Sequence, residues 1–248
     1  MDLKPINIFD FDGTLTTETW PKFWVWVKKY GYSGERRNNE LENALARYRE
    51  THNGDALETF FGFFNDLLVD NNDKLTYNEL MEGEQYIVYN PGLIDYLEEN
   101  NANNYIVSGG LKDFLDGLKV SKYFAGTYGT PVKRNNSGLI TGIGEIMTDD
   151  KKILAIKDIL RENNRDENDC TNVYYIGDGY SDEVAMRFVH NNGGKAIFVY
   201  QPLDDELSDH INKIYEVLNK DGIVDYSLLA DYSPGSGLSN ILERKRLI

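Results

Sequence analysis

Asp10 and Asp12 stand one residue apart at the end of an apolar run, in Phe9-Asp10-Phe11-Asp12-Gly13-Thr14-Leu15-Thr16. Two carboxylates so spaced, where a strand opens into a loop, can divide phosphoryl transfer between them. One attacks phosphorus to give an aspartyl-phosphate; the other protonates the leaving oxygen and later takes a proton from water. Asp-Gly is also a common turn dipeptide, so on this motif alone the turn and catalytic readings stay open.

A second pair lies in Gly177-Asp178-Gly179-Tyr180-Ser181-Asp182, after the apolar run Val173-Tyr174-Tyr175-Ile176. Its small residues let backbone approach a ligand. Magnesium takes hard oxygen ligands and keeps several waters, so one or two direct carboxylates suffice. Asp10 and Asp178 are the expected ligands, with the Asp12 main-chain carbonyl as a third. Asp182 then orients ligands or waters from close by, and Ser181 or Asp182 also caps the helix that follows. Clustered carboxylates repel one another and a substrate phosphate, so a positive side chain is needed beside the cation. Lys152 supplies it, with Lys151 as the neighbouring competitor. Ser108-Gly109-Gly110 adds a hydroxyl and adjacent amides suited to an anion. As a bare tripeptide it is common in turns, and its value comes from standing between the two aspartate clusters.

The elements that must position these residues read as strands alternating with helices. Residues 5–9 form a short buried strand, and 17–86 carry helical spacing in about four helices, with Trp20, Phe23, Trp24, Phe60, Phe61 and Phe64 among the repeating apolar positions. Helical spacing predicts burial of those aromatics before it predicts a ligand pocket. A helix over 93–99 and a strand over 105–107 follow Pro91-Gly92. Residues 123–128 and 138–146, joined by the polar turn 133–137, read as a β-hairpin. A helix over 152–161, a strand over 173–176, a helix from 183, strands over 196–200 and 224–229 and a helix over 238–244 complete the chain. Such alternation implies a parallel sheet with helices on both faces, whose ligands bind at the carboxyl ends of the strands. The helical block enters after the first strand, so it is expected above that edge as a cap. The expected domains are a core of residues 1–16 and 88–248 and an α-helical cap of 17–87.

With 248 residues, 41% hydrophobic and 27% charged, the chain can bury a sizeable core. A formal net charge of -15 argues against nucleic-acid or anionic-membrane partners. No stretch has the apolar length of a membrane span, and Met1-Asp2-Leu3-Lys4-Pro5 lacks the character of a signal peptide. Cys170 is the single cysteine, which excludes an internal disulfide or a thiolate metal cluster within one chain; a cytoplasmic setting is expected. His52, His190 and His210 have no ligand spacing.

The four motifs in this order resemble the haloacid dehalogenase superfamily of phosphatases. Asp10-Phe11-Asp12-Gly13-Thr14 is similar to its nucleophile motif, Ser108-Gly109-Gly110 to its second, Lys152 to its third and Gly177 through Asp182 to its fourth. The resemblance implies an α/β fold, a Rossmann-like three-layer parallel sheet with an inserted helical cap and a β-hairpin between the second and third motifs. It implies Asp10 as nucleophile, Asp12 as general acid and base, Ser108, Gly109 and Lys152 as phosphate ligands, and Asp178 with Asp182 at the magnesium end. Within the superfamily the layout resembles the phosphoserine phosphatase branch, and the register of Asp149-Asp150-Lys151-Lys152 after the hairpin favours Lys152. That branch carries a cap-entry glutamate nine residues after the nucleophile; here that place is Thr19, with Glu18 one step early. Glu18 is the candidate cap contact, and Arg36 or Arg37 can meet a substrate carboxylate, although surface positions explain both arginines as well. The expected activity is magnesium-dependent hydrolysis of a small phosphorylated metabolite. The alternatives are a phosphomutase or phosphotransferase using the same residues, or a non-catalytic protein that binds a phosphorylated ligand.

Overall fold

The first apolar run forms strand β1 (Ile6–Phe9), buried along its whole length. In the computed structural model, residues 4–17, 75–100, 103–202 and 205–243 are described, with Leu57, Phe61, Gly62, Phe64, Asn65 and Leu68. After β1 come β2 (Asn103–Leu111), β3 (Gly126–Thr130), β4 (Val132–Arg134), β5 (Ile140–Ile143), β6 (Val173–Gly177), β7 (Lys195–Tyr200) and β8 (Tyr226–Leu229). Six of them make one sheet in the order β3-β2-β1-β6-β7-β8, and every pairing in it is parallel.

Parallel neighbours need long crossovers, and helices supply them. The described helices are α1 (Tyr77–Met81), α2 (Leu93–Glu99), α3 (Lys112–Gly117), α4 (Asp149–Glu162), α5 (Glu183–Asn191), α6 (Asp205–Leu218) and α7 (Gly237–Leu242). Alternate strand residues face opposite layers. Ile6, Ile8, Tyr105, Val107, Val173, Tyr175, Ala196 and Phe198 cluster with Ile156 and Ile159 of α4 and Met186 and Val189 of α5. Phe9, Ile106, Ile176, Ile197 and Val199 cluster with Leu93 and Leu97 of α2 and Leu238 and Ile241 of α7. The result is the expected three-layer, Rossmann-like α/β core. Asn7 stands on the second face at no exposure, satisfied by donation to Tyr96 Oη at 2.9 Å and Asn104 Oδ1 at 3.2 Å.

The chain builds outward from β1 through β2 to β3, then returns to β1's other side as β6. The carboxyl ends of β1 and β6 therefore flank a crevice at the point where strand order reverses, the preferred place for a ligand in such sheets.

Two sequence expectations are corrected by the pairing. The hairpin between the second and third motifs exists, but its arms are β4 and β5, with Val132 opposite Ile143. Residues 126–130 instead add a parallel edge strand to the main sheet. Pro131 separates the two: it has no amide to donate, and its carbonyl accepts from Gly144 N at 2.7 Å. The second correction concerns Ser108-Gly109-Gly110, which lies within β2 at a register shift between Val107 and Leu111, not in a loop beyond the strand. Helix α6 was not anticipated, although Ile214 and Leu218 are buried at helical spacing in its second half.

At the expected cap boundary the chain departs and returns side by side: Thr16 bridges Tyr89 antiparallel, and Thr17 N donates to Val88 O at 2.9 Å. Phe61, Phe64 and Leu68 are buried with Leu75, Leu80, Leu111, Ile140 and Ile143, so these aromatics join a small core over the hairpin. Trp20, Phe23, Trp24 and Phe60 lie outside the described residues.

Helix α4 offers a test of this layering. Ile156 has no exposure, whereas Leu154 on the same helix is 59% exposed. Ile156→Ala should lower unfolding free energy by about 2–5 kcal/mol, and Leu154→Ala by less than about 0.5 kcal/mol. Urea titration checks both values, and equal losses would contradict the layering.

Candidate active site

Asp10 follows β1 directly, and its amide continues the ladder by donating to Ile176 O at 2.9 Å. Helix α4 begins at Asp149, one turn earlier than its sequence pattern suggested, so Lys152 sits in its first turn, where it is buried. Lys152 is 1% exposed, and its Nζ lies 3.3 Å from Asp10 Oδ1 and 2.7 Å from Asp182 Oδ1. Lys151, by contrast, turns away to Ile146 O at 2.8 Å and Glu145 Oε1 at 2.9 Å.

Asp182 is fully buried, and its carboxylate is met by protein donors on both oxygens. Tyr175 Oη donates to Oδ1 at 2.7 Å and Gly179 N to Oδ2 at 3.2 Å, beside the Lys152 ammonium. Gly177 makes room for this carboxylate, since a Cβ there would lie 2.4 Å from Asp182 Cγ.

Charge is concentrated here without enough cation to match it. Burial pushes the Asp10 carboxyl up to about 7; Lys152 pulls it down, while Asp182 and Asp12 push it further up. Asp178 is raised well above the usual carboxylate range by desolvation, with Asp10 and Asp182 adding repulsion. Burial acts to lower the Lys152 pKa, but Asp10 and Asp182 outweigh it and hold the ammonium well above its ordinary value.

The loop after Asp10 is fixed from several elements. Gly13 has φ +73°, and a Cβ on it would lie 2.1 Å from Asp178 Oδ2, so glycine is required by both conformation and space. Thr14 Oγ1 donates to Asp178 Oδ1 at 3.1 Å. Ser108 is 1% exposed, and its Oγ accepts from Gly110 N at 3.1 Å. Thr130 Oγ1 donates to Gly109 O at 2.9 Å, which holds the irregular end of β2. The half-buried Asp12 lies alongside, with its Oδ2 4.0 Å from where a Gly110 Cβ would be.

Asp10, Asp178 and Asp182 each offer a carboxylate oxygen, all within 4.8 Å of one another, so the donor set suits a hard cation. Sequence expectation paired Asp10 and Asp178 with the Asp12 main chain and kept Asp182 behind them. The geometry brings Asp182 as close as the other two, but its engagement by Lys152, Tyr175 and Gly179 suits it to holding the ammonium. Glu18, Arg36 and Arg37 lie outside the described residues.

The sequence profile of haloacid dehalogenase-like hydrolases matches residues 8–187. The chain belongs to that family. Among solved structures, this hydrolase is similar to a substrate-bound phosphoserine phosphatase complex, at 16% identity and a TM-score of 0.65, over 99% of this chain and 100% of that one. A phospho-aspartyl intermediate analogue of phosphoserine phosphatase aligns with a TM-score of 0.63 and 16% identity, over 98% of this chain and 99% of the other. A hydrolase of the same superfamily from Salmonella enterica serovar Typhi aligns with a TM-score of 0.59 at 16% identity, over 96% of this chain and 71% of that one. No curated protein matches the sequence.

Sequence reasoning missed several residues that shape the hydrolase's site. Gln201, just past β7, donates through Nε2 to Gly13 O at 2.9 Å. Tyr232 Oη donates to Thr14 O at 3.0 Å, and Tyr175 anchors Asp182. The position of Gln201 at a fourth strand end was a usable signal; nothing local marked the two tyrosines.

The raised Asp10 pKa makes a signed prediction. With a folded value of about 7 against an ordinary 3.8, folding takes up a proton between these limits, so this carboxyl opposes folding increasingly as pH rises through that window. In buffer with a chelator, the stability of Asp10→Asn relative to wild type should therefore rise between pH 4 and 8, by a few kcal/mol at about 1.4 kcal/mol per pKa unit. Chemical denaturation across that range measures it, and a flat or falling difference would be inconsistent with an elevated Asp10.

Proposed function

We propose that this hydrolase is a magnesium-dependent phosphomonoesterase that works through an aspartyl-phosphate on Asp10 and acts on a small phosphorylated metabolite. The observation that carries the reading is the buried Lys152 ammonium against Asp10 and Asp182, next to Asp178. That arrangement suits an incoming dianion: it holds one fixed cation, carboxylates that need another, and a hydroxyl with amides at Ser108 and Gly110. Similarity in fold to the phosphoserine phosphatase structures supports a phosphoric monoester as the bond attacked.

In this mechanism Ser108 Oγ–H, the main chain at Gly109 and Gly110, and Lys152 Nζ hold the phosphoryl oxygens. An Asp10 carboxylate oxygen forms a bond to phosphorus as the ester P–O bond breaks, and the Asp12 carboxyl gives its proton to the leaving oxygen. Water then attacks the same phosphorus, Asp12 takes its proton, and the Asp10–phosphorus bond breaks to release inorganic phosphate. Asp182 fixes Lys152 throughout. The carboxylates of Asp10 and Asp178 and the Asp12 carbonyl would hold magnesium, which would supply the positive charge that keeps Asp10 ionised and offsets phosphoryl charge.

Residues 17–87 are proposed as the cap that chooses the substrate, with Glu18 as its candidate contact. The lone, buried Cys170 supports a cytoplasmic setting.

Hydrolysis of an aryl phosphate tests the reaction class. Magnesium should support release of phenolate and inorganic phosphate in equal amounts, chelation should abolish it, and Asp10→Asn should reduce kcat by on the order of 10³-fold or more. Activity that persists in Asp10→Asn, or phenolate release without free phosphate, would exclude this mechanism.

A further inference from the structure

We infer that Asn90 is a positioning residue for the cation site, tying the segment that returns from the cap to the carboxylate of Asp178. The inference rests on the magnesium reading above. Asn90 is 2% exposed and touches three consecutive residues of the catalytic loop. Its Nδ2 donates to Thr14 O at 2.7 Å and to Thr16 O at 3.3 Å, and its backbone amide donates to Leu15 O at 3.0 Å. Thr14 in turn gives its hydroxyl to Asp178 Oδ1 at 3.1 Å, and its carbonyl also accepts from Tyr232 Oη at 3.0 Å. A side chain at the cap's return point thus sets the backbone from which the hydroxyl reaches Asp178.

The choice of an asparagine here is poorly explained by stability alone. Its Oδ1 is buried and accepts no hydrogen bond among the described residues, which is unfavourable in itself. What the amide provides is two donors on one nitrogen, aimed at two carbonyls of the same turn. Asn90 also immediately follows Tyr89, whose backbone bridges Thr16, so the chain segment that leaves for the cap and the one that returns are joined at this turn. Residues standing behind metal ligands commonly change metal affinity about 10–100-fold when removed.

Calorimetric titration of the full chain with magnesium at 25 °C, beside thermal melts, tests this role. Asn90→Ala should weaken magnesium binding about ten-fold or more, and Tyr232→Phe, which keeps the ring and loses the hydroxyl, should weaken it to a smaller extent. Ile156→Ala should melt earlier with affinity unchanged, which separates positioning from general loss of stability. If Asn90→Ala does not fold, Asn90→Asp, nearly isosteric but with an acceptor facing two carbonyls, should show the same weakening. Wild-type affinity in folded Asn90 variants would overturn the inference while leaving the proposed function intact. Failure of the wild-type protein to bind magnesium would instead overturn the metal reading on which it rests.

Discussion

A single buried ammonium, Lys152, stands between the carboxylates of Asp10 and Asp182, and much of the surrounding structure compensates for burying it. Removing a lysine charge from water is costly unless close, well-oriented counter-charges replace the lost hydration. Asp182 does this at 2.7 Å, and Tyr175 Oη and Gly179 N satisfy the same carboxylate in turn. Asp10 is the looser partner at 3.3 Å, and it remains elevated in pKa despite the ammonium. The asymmetry suits the proposed chemistry. One carboxylate is committed to the lysine, and the other is left with charge that a cation and a phosphoryl group can use.

Sheet topology is what brings these groups together. Asp10, Ser108 and the 178–182 loop come from three adjacent parallel strands, β2, β1 and β6, and Lys152 enters from the first turn of α4 at the same edge. The order reversal falls between β1 and β6, whose carboxyl ends flank the crevice where such sheets bind ligands. Gly13 and Gly177 then allow the Asp178 and Asp182 carboxylates to approach main chain at distances that any side chain would prevent.

The parts of this arrangement legible in the sequence were those encoded locally. Asp10 and Asp178 each follow an apolar strand, and the buried strands and helices α2, α4 and α5 carry clear periodicity. The register after the hairpin favoured Lys152 over Lys151 already in the sequence, and the helical phase of α4 turns Lys152 to Asp10 and Asp182 and Lys151 to Ile146 and Glu145. The hairpin arm was misplaced because residues 123–128 carry a strand signal that does not reveal its partner, and Pro131 marks the break between a parallel edge and an antiparallel ribbon. Asn90 and Tyr232 were not legible at all, and Gln201 only through its place at a strand end. Each acts by donating to a loop carbonyl 76, 188 or 218 residues away, and such contacts leave no pattern in the neighbouring sequence.

The claim at the centre of this account is that Asp10 itself becomes phosphorylated. Acid quenching of Asp12→Asn during turnover of an aryl phosphate, whose leaving group needs no acid, should trap that species because removal of the base slows its hydrolysis. Borohydride reduces an acyl phosphate to a primary alcohol with loss of phosphate, so a phosphorylated aspartate becomes homoserine. Peptide mass spectrometry should find homoserine at position 10. Homoserine at another aspartate, or its absence after a burst of about one phenolate per chain, would contradict the account.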